Sequence, residues 1–176
     1  MAKEAFESML TGGHPNSLGR TIEVVDAVLA DPSRFDELFD CYSSADEVVR
    51  LRVSNAMKRV EAERRDLLVP HIDRFIAEIG ALDQASAQWT LAQLFARLRD
   101  EMREDQRLAA LEIMKRNLAI HDDWIVLKST MQTLADWIGD FEDLAPWLRP
   151  HLERLSADPR KSVKSNALKA LKRIGS

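Results

Sequence analysis

SVKSNALKALKRI, from Ser162 to Ile174, reads as an α-helix with one apolar face. Counting from Val163, apolar residues fall at +4 (Ala167), +7 (Ala170), +8 (Leu171) and +11 (Ile174), and the basic Lys164 follows the anchor directly. The same offsets recur upstream. From Val49 they give Val53, Ala56, Met57 and Val60, with Arg50 after the anchor; from Ala87 they give Leu91, Leu94, Phe95 and Leu98. From Leu127 they give Met131, Leu134, Ala135 and Ile138, with Lys128 after the anchor. Successive anchors stand 38, 40 and 36 residues apart. A constant helical face returning at a nearly fixed period is the signature of stacked helical repeats.

The segments between these helices complete the unit. Pro70-His71-Ile72-Asp73-Arg74-Phe75 and Pro150-His151-Leu152-Glu153-Arg154-Leu155 agree in type at six positions, 80 residues apart, and each falls in the helix before a repeat helix. The unit is therefore a pair. An A helix (Asp66 to Ile79; Arg107 to Leu118; Asp143 to Leu155) precedes a B helix (Gln84 to Leu98; Asp123 to Ile138; Arg160 to Ile174). Upstream, Ser17 is placed to cap a degenerate first repeat helix over Leu18 to Ala30, and Ser43-Ser44 to cap the helix of Val49. Asp31-Pro32 ends one helix and starts the next, whose stripe is Phe35, Leu38, Phe39 and Tyr42; Asp158-Pro159 is a second corner of that type. Gly12, Gly13, Pro15, Asn16 and Ser17 make residues 1–17 irregular, in the position of a cap. No stretch carries the alternating β-branched pattern of a strand.

Paired helices of about 40 residues with an acid shortly before a Val-Arg or Val-Lys step (Asp46 before Val49-Arg50; Asp158 before Val163-Lys164) resemble the HEAT-repeat family. The resemblance covers the chain from about Pro32 onward. It weakens around Ala87 and Leu127, where glutamine and tryptophan stand in place of the usual Asp or Arg. It implies an all-α fold, a right-handed α-solenoid of stacked antiparallel helix pairs with about 8–10 helices, concave on the B-helix side, and a role in binding rather than catalysis. An ordinary helical bundle is the alternative. Residues 1–176 are expected to form one repeat domain, with 18–176 as the repeats.

Composition fits a folded soluble protein: 45 % apolar, 31 % charged, net charge −4. The single cysteine, Cys41, excludes internal disulfides and CxxC metal sites and fits a reducing compartment. There is no apolar leader and no run of eighteen apolar residues, so a cytoplasmic location and no membrane partner are expected.

Charge is distributed unevenly. Val48 to Val60 holds Arg50, Arg52, Lys58 and Arg59 without an acid; Gln84 to Arg99 adds Arg97 and Arg99, again without an acid; Arg160 to Ile174 holds six basic residues and no carboxylate. The A helices lean acidic. If the helices stack, Arg50, Arg52, Lys58, Arg97, Lys128, Lys164 and Lys169, with Trp89 and Trp137 at partly outward offsets, form the expected partner-binding surface. Such a surface suits an acidic protein or phosphates, with affinity falling as salt rises. Structural ion pairs and compensation of helix dipoles, as for Lys172 and Arg173, are the competing explanation.

No motif carries chemistry. His71 and His151 occupy equivalent repeat positions and cannot share a metal. His121-Asp122-Asp123 is better explained by an N-cap for the helix of Trp124 than by a metal site. Cys41 sits on an apolar stripe, and Thr11-Gly12-Gly13 lacks phosphate-loop spacing. Trp124, Trp137 and Asp136 can be cast as the site of an alkylated-base DNA glycosylase, but a neutral helix argues against it. The expectation is a protein-docking module without catalytic residues or cofactor, monomeric or weakly self-associating. Binding of nucleic acid is the alternative.

Overall fold

The computed structural model describes residues 3–175, and every regular element among them is helical. Two compact units divide the chain, one ending at Thr90 and one beginning at Leu91, within helix α6 (Ala85–Leu98).

The first unit contains α1 (Phe6–Leu10), α2 (Thr21–Ala30), α3 (Phe35–Asp40), α4 (Glu47–Arg64), the short α5 (Ile72–Arg74) and the start of α6. α2 packs on α4, and α1 on both. The repeat face of α4 forms the floor of this core. Val49, Val53, Ala56, Met57 and Val60 are fully buried, as are Phe6 and Leu10 of α1 and Val24 and Val28 of α2, the helices packed against α4. Burial of such side chains contributes about 1.5–3 kcal/mol each, and this sets which face of α4 turns inward.

Two expected boundaries shift. α2 begins at Thr21, not Leu18, because Gly19 has a φ of +51°, which no helix accommodates. Ser17 Oγ instead accepts from Gly19 N at 3.0 Å. The cap of α4 is Asp46, whose carboxylate accepts from Val48 N at 2.8 Å, while Ser44 Oγ supports it by accepting from Asp46 N.

The A helix expected over Asp66 to Ile79 is not continuous. Two 3-10 turns (Arg65–Leu67, Val69–His71) lead into α5, which runs on into one π turn over Phe75–Ile79 closed by Gly80 N on Phe75 O. Pro70 lacks an N–H and disfavours helical backbone before it, so this element reaches regular geometry only at Ile72. Ile72, Phe75 and Ile79 are still buried.

The second unit contains the rest of α6, then α7 (Glu104–Ile120), α8 (Trp124–Trp137), α9 (Leu144–Ser156) and α10 (Lys161–Ile174). α7 packs on α8, α9 on α10, and α8 on both α9 and α10. The repeat faces of α6, α8 and α10 are buried at every expected position except Ile138 and Leu171, which are half-buried. Asp123 caps α8 by accepting from Ile125 N and Val126 N. At the corner before α10, Asp158 accepts from Arg160 N at 2.8 Å and pairs with its guanidinium, which holds the Asp158 carboxyl down at about 2.

A second periodicity lies in the polar contacts. In the first unit His71 meets Asp36, Arg74 meets Asp40, and Arg50 meets Gln84. In the second, Thr133 donates to Ala92 O, Gln93 to Ser129, Arg154 to Leu118 O, and Gln132 to Asn166, while Arg99 pairs with Asp140 and Arg160 with Asp122. The partners in all these contacts are separated by 34 to 41 residues, one sequence repeat. Among the described residues no helix is long and apolar enough to cross a membrane.

Candidate functional site

The residues expected to form one basic surface separate into three groups. Two are interior. Arg52 is 2 % exposed, and its guanidinium donates to four backbone oxygens: Leu10 O and Gly12 O at 2.6 Å, His14 O and Ser17 O at 3.2 Å. Trp137 is fully buried, 6.2 Å from the ring of Phe141 between centroids, and its indole Nε1 has no hydrogen-bond partner. Both fail as surface residues because packing, not amphipathic spacing, decided their direction.

A second group is tied or partly covered. Arg50 is half-buried and donates to Gln84 Oε1 at 2.5 Å and Ser44 O at 2.6 Å, so its charge fastens the start of α4 to the start of α6. Lys58 is half-buried and Arg97 exposed, and each is engaged with a neighbour. Trp89 is half-buried.

The third group remains available. Lys128 on α8 and Lys164 and Lys169 on α10 have no carboxylate within ion-pair distance, and the same holds for Lys161. Most other cations are paired: Arg20 with Glu4 and Glu23, Arg34 with Glu37, Arg74 with Asp40 and Glu78, Arg99 with Asp140, Arg160 with Asp158. The available lysines therefore concentrate on two helices that pack side by side.

The geometry of that face follows from helical spacing. On α8, Trp124, Lys128, Gln132 and Asp136 recur every four residues and share one side. On α10, Asn166 and Arg173 align with it, for Gln132 donates to Asn166 at 3.2 Å and Arg173 pairs with Asp136. These contacts hold the two helices in register and consume the one carboxylate on the α8 stripe. Trp124 is 45 % exposed, and Ile120, across the α7–α8 turn, is 76 % exposed. Neither belongs to the surface expected from the sequence, where Trp124 entered only as part of a glycosylase-type site. Their signal was an apolar residue just outside the repeat face at each side of the His121–Asp123 turn.

The remaining reactive side chains are committed to structure. His71 lies 2.6 Å from Asp36 through Nε2 and 3.1 Å from Leu67 O through Nδ1, against the ring of Phe35. Its counterpart His151 packs on Trp147 with ring centroids 4.2 Å apart and tilted by 34°, and burial together with Arg154 and Lys115 pulls its pKa down. His121 Nδ1 accepts from Asp123 N, and His14 Nδ1 from Asn16 N. Burial, reinforced by Glu7, Glu37 and Asp40, pushes the Cys41 thiol up to about 12. Among the described residues no group of three or more His, Cys, Asp or Glu is placed to hold a metal ion.

Fold and surface define an all-helical protein with a lysine- and tryptophan-bearing face on α8 and α10. No family model, no curated protein and no solved structure matches the chain.

Proposed function

We propose that this chain is a non-catalytic docking module, a short HEAT-like solenoid of antiparallel helix pairs whose α8–α10 face binds an acidic surface of a protein partner. Two regularities support the repeat reading. The four B-helix faces are buried at matching offsets, and polar contacts in both units recur at one repeat length. The observation that carries the binding reading is that Lys128, one turn from the exposed ring of Trp124, and Lys164 and Lys169 on the helix packed against α8 have no carboxylate within ion-pair distance. Tryptophan anchors ringed by charge are typical of protein interfaces, where the aromatic supplies most of the affinity and the charges steer the encounter.

The test uses a fluorescent polyglutamate peptide as the acidic probe. The wild-type chain binds it at low salt, the triple variant Lys128→Glu, Lys164→Glu, Lys169→Glu does not, and Trp124→Ala weakens binding about tenfold. Equal binding by wild type and triple variant rejects this face.

The same lysines also suit phosphate, and Trp124 one turn from Lys128 offers a base-stacking platform, which favours nucleic acid as the second reading. Retention of single- or double-stranded DNA or RNA on a filter, with no binding of polyglutamate, would decide for it.

A further inference from the structure

The sequence is polarised in charge. Residues 1–46 hold nine carboxylates against three lysines and arginines, whereas residues 160–175 hold six basic residues and no carboxylate. Each of these segments contributes an exposed apolar feature.

On α10, Leu168 is 50 % exposed. Lys161 and Lys164 precede it at seven and four residues, so all three lie along one side of the helix, opposite the buried stripe of Val163, Ala167, Ala170 and Ile174. This makes a ridge with two unpaired cations followed, one turn on, by an exposed apolar residue.

In the first unit, α2 and α4 leave a groove between them. Its apolar lining is Ile22, Val25, Leu29 and Ala62, with Ile22 42 % exposed. Asp26 and Glu63 stand on it, neither with a cation within ion-pair distance. Arg59, the one base on the groove, is turned to Asn55 Oδ1 at 2.7 Å. Groove and ridge carry unpaired charges of opposite sign, and both leave apolar surface in water.

We propose that the α2–α4 groove receives α10 of a second copy of this chain, with Leu168 between Ile22 and Leu29 and with Lys161 and Lys164 facing Asp26 and Glu63. This rests on the reading of α10 as a docking helix and assigns a partner to its outer side. The contact is heterologous, because ridge and groove are different surfaces. Each added copy leaves one of each open, so association proceeds head to tail rather than stopping at a two-fold dimer. One helix in one groove falls below the roughly 1,200 Å² of standard interfaces, so the association is weak and sensitive to salt.

Sedimentation velocity on the full chain tests this with two variants at exposed positions, each first checked for native helicity by circular dichroism. Leu168→Asp disables the ridge and keeps the groove; Ile22→Lys with Asp26→Lys disables the groove and keeps the ridge. Wild type is expected to give species growing with concentration and shrinking in high salt. Each variant alone should remain monomeric, and their equimolar mixture should form a one-to-one dimer and nothing larger. A wild type that stays monomeric throughout the series overturns the proposal, and so does a mixture that does not pair. Polyglutamate binding on the same samples keeps the two readings apart: retained binding by a monomeric wild type rejects only the second copy, whereas loss of both rejects the docking face as well.

Discussion

The guanidinium of Arg52 occupies the space that a side chain on Gly19 would need. A Cβ on Gly19 would lie 2.8 Å from Arg52 Cζ and 2.9 Å from Nη1, and Gly19 also has a φ of +51°. The loop before α2 is thus wrapped on a cation from α4 through backbone oxygens alone, and glycine is what lets the chain come that close. Gly13 passes the same group at a looser 3.6 Å, and Gly12, with a φ of +80°, meets nothing within 4 Å.

Gly19→Ala and Gly12→Ala should therefore separate conformational strain from steric conflict. Both carry the left-handed penalty of about 1–2 kcal/mol, and only Gly19→Ala adds the overlap with Arg52, for a total of about 2–4 kcal/mol. Urea denaturation of the two variants measures the difference; equal losses would show that the contact yields without cost.

Arg52→Lys should not substitute for arginine. A lysine ammonium has three donors and no planar fork, so it cannot serve four oxygens spread over Leu10, Gly12, His14 and Ser17. A loss of about 2–3 kcal/mol is expected. Amide hydrogen exchange should locate it, with faster exchange at Ser17 and Gly19 than in α8.

Cys41 should be inert in the folded protein. Its Sγ lies 3.2 Å from Glu37 O, and a thiol pushed up to about 12 is almost entirely protonated at pH 8. Iodoacetamide should label it at least about a hundredfold more slowly in buffer than in denaturing urea. Rapid labelling under native conditions would show that burial does not govern this sulfur.

His151 should make stability fall on mild acidification. Burial, with Arg154 and Lys115 beside it, lowers its folded pKa below the ordinary 6.5, so the unfolded chain binds a proton first as pH drops. Stability is unaffected above that value and declines below it, by at most about 1.4 kcal/mol per pH unit. His151→Gln should remove this slope from urea midpoints measured between pH 7 and pH 5; an unchanged slope would assign it to other groups.

Local pattern reached far into this fold. Offsets of four, seven, eight and eleven from Val49, Ala87, Leu127 and Val163 located four buried helical faces, and the His121-Asp122-Asp123 turn was read as holding a cap, which the structure assigns to Asp123, because both depend on residues within a few turns of each other. Where a residue answered to a distant partner, the pattern misled. Arg52 stands one step outside the repeat face, where a basic residue belongs in water, yet the oxygens of a loop some forty residues earlier draw it inside. Ser17 had the identity of a helix cap, and the strand of chain bent at Gly19 gave it another task.

The same division runs through the candidate site. Net charge along each helix was visible in the sequence, and it marked α4 and α10 alike as basic. Only the tertiary structure separated them, by sending the guanidinium groups of Arg50 and Arg52 to acceptors within the first unit while leaving Lys128, Lys164 and Lys169 without acidic partners. Sequence alone determined the helical period and the face each helix buries, because hydrophobic spacing acts locally and repeats. Which charges remain for a partner was decided by tertiary contacts, since pairing depends on what lies across a helix boundary and not on the helix itself.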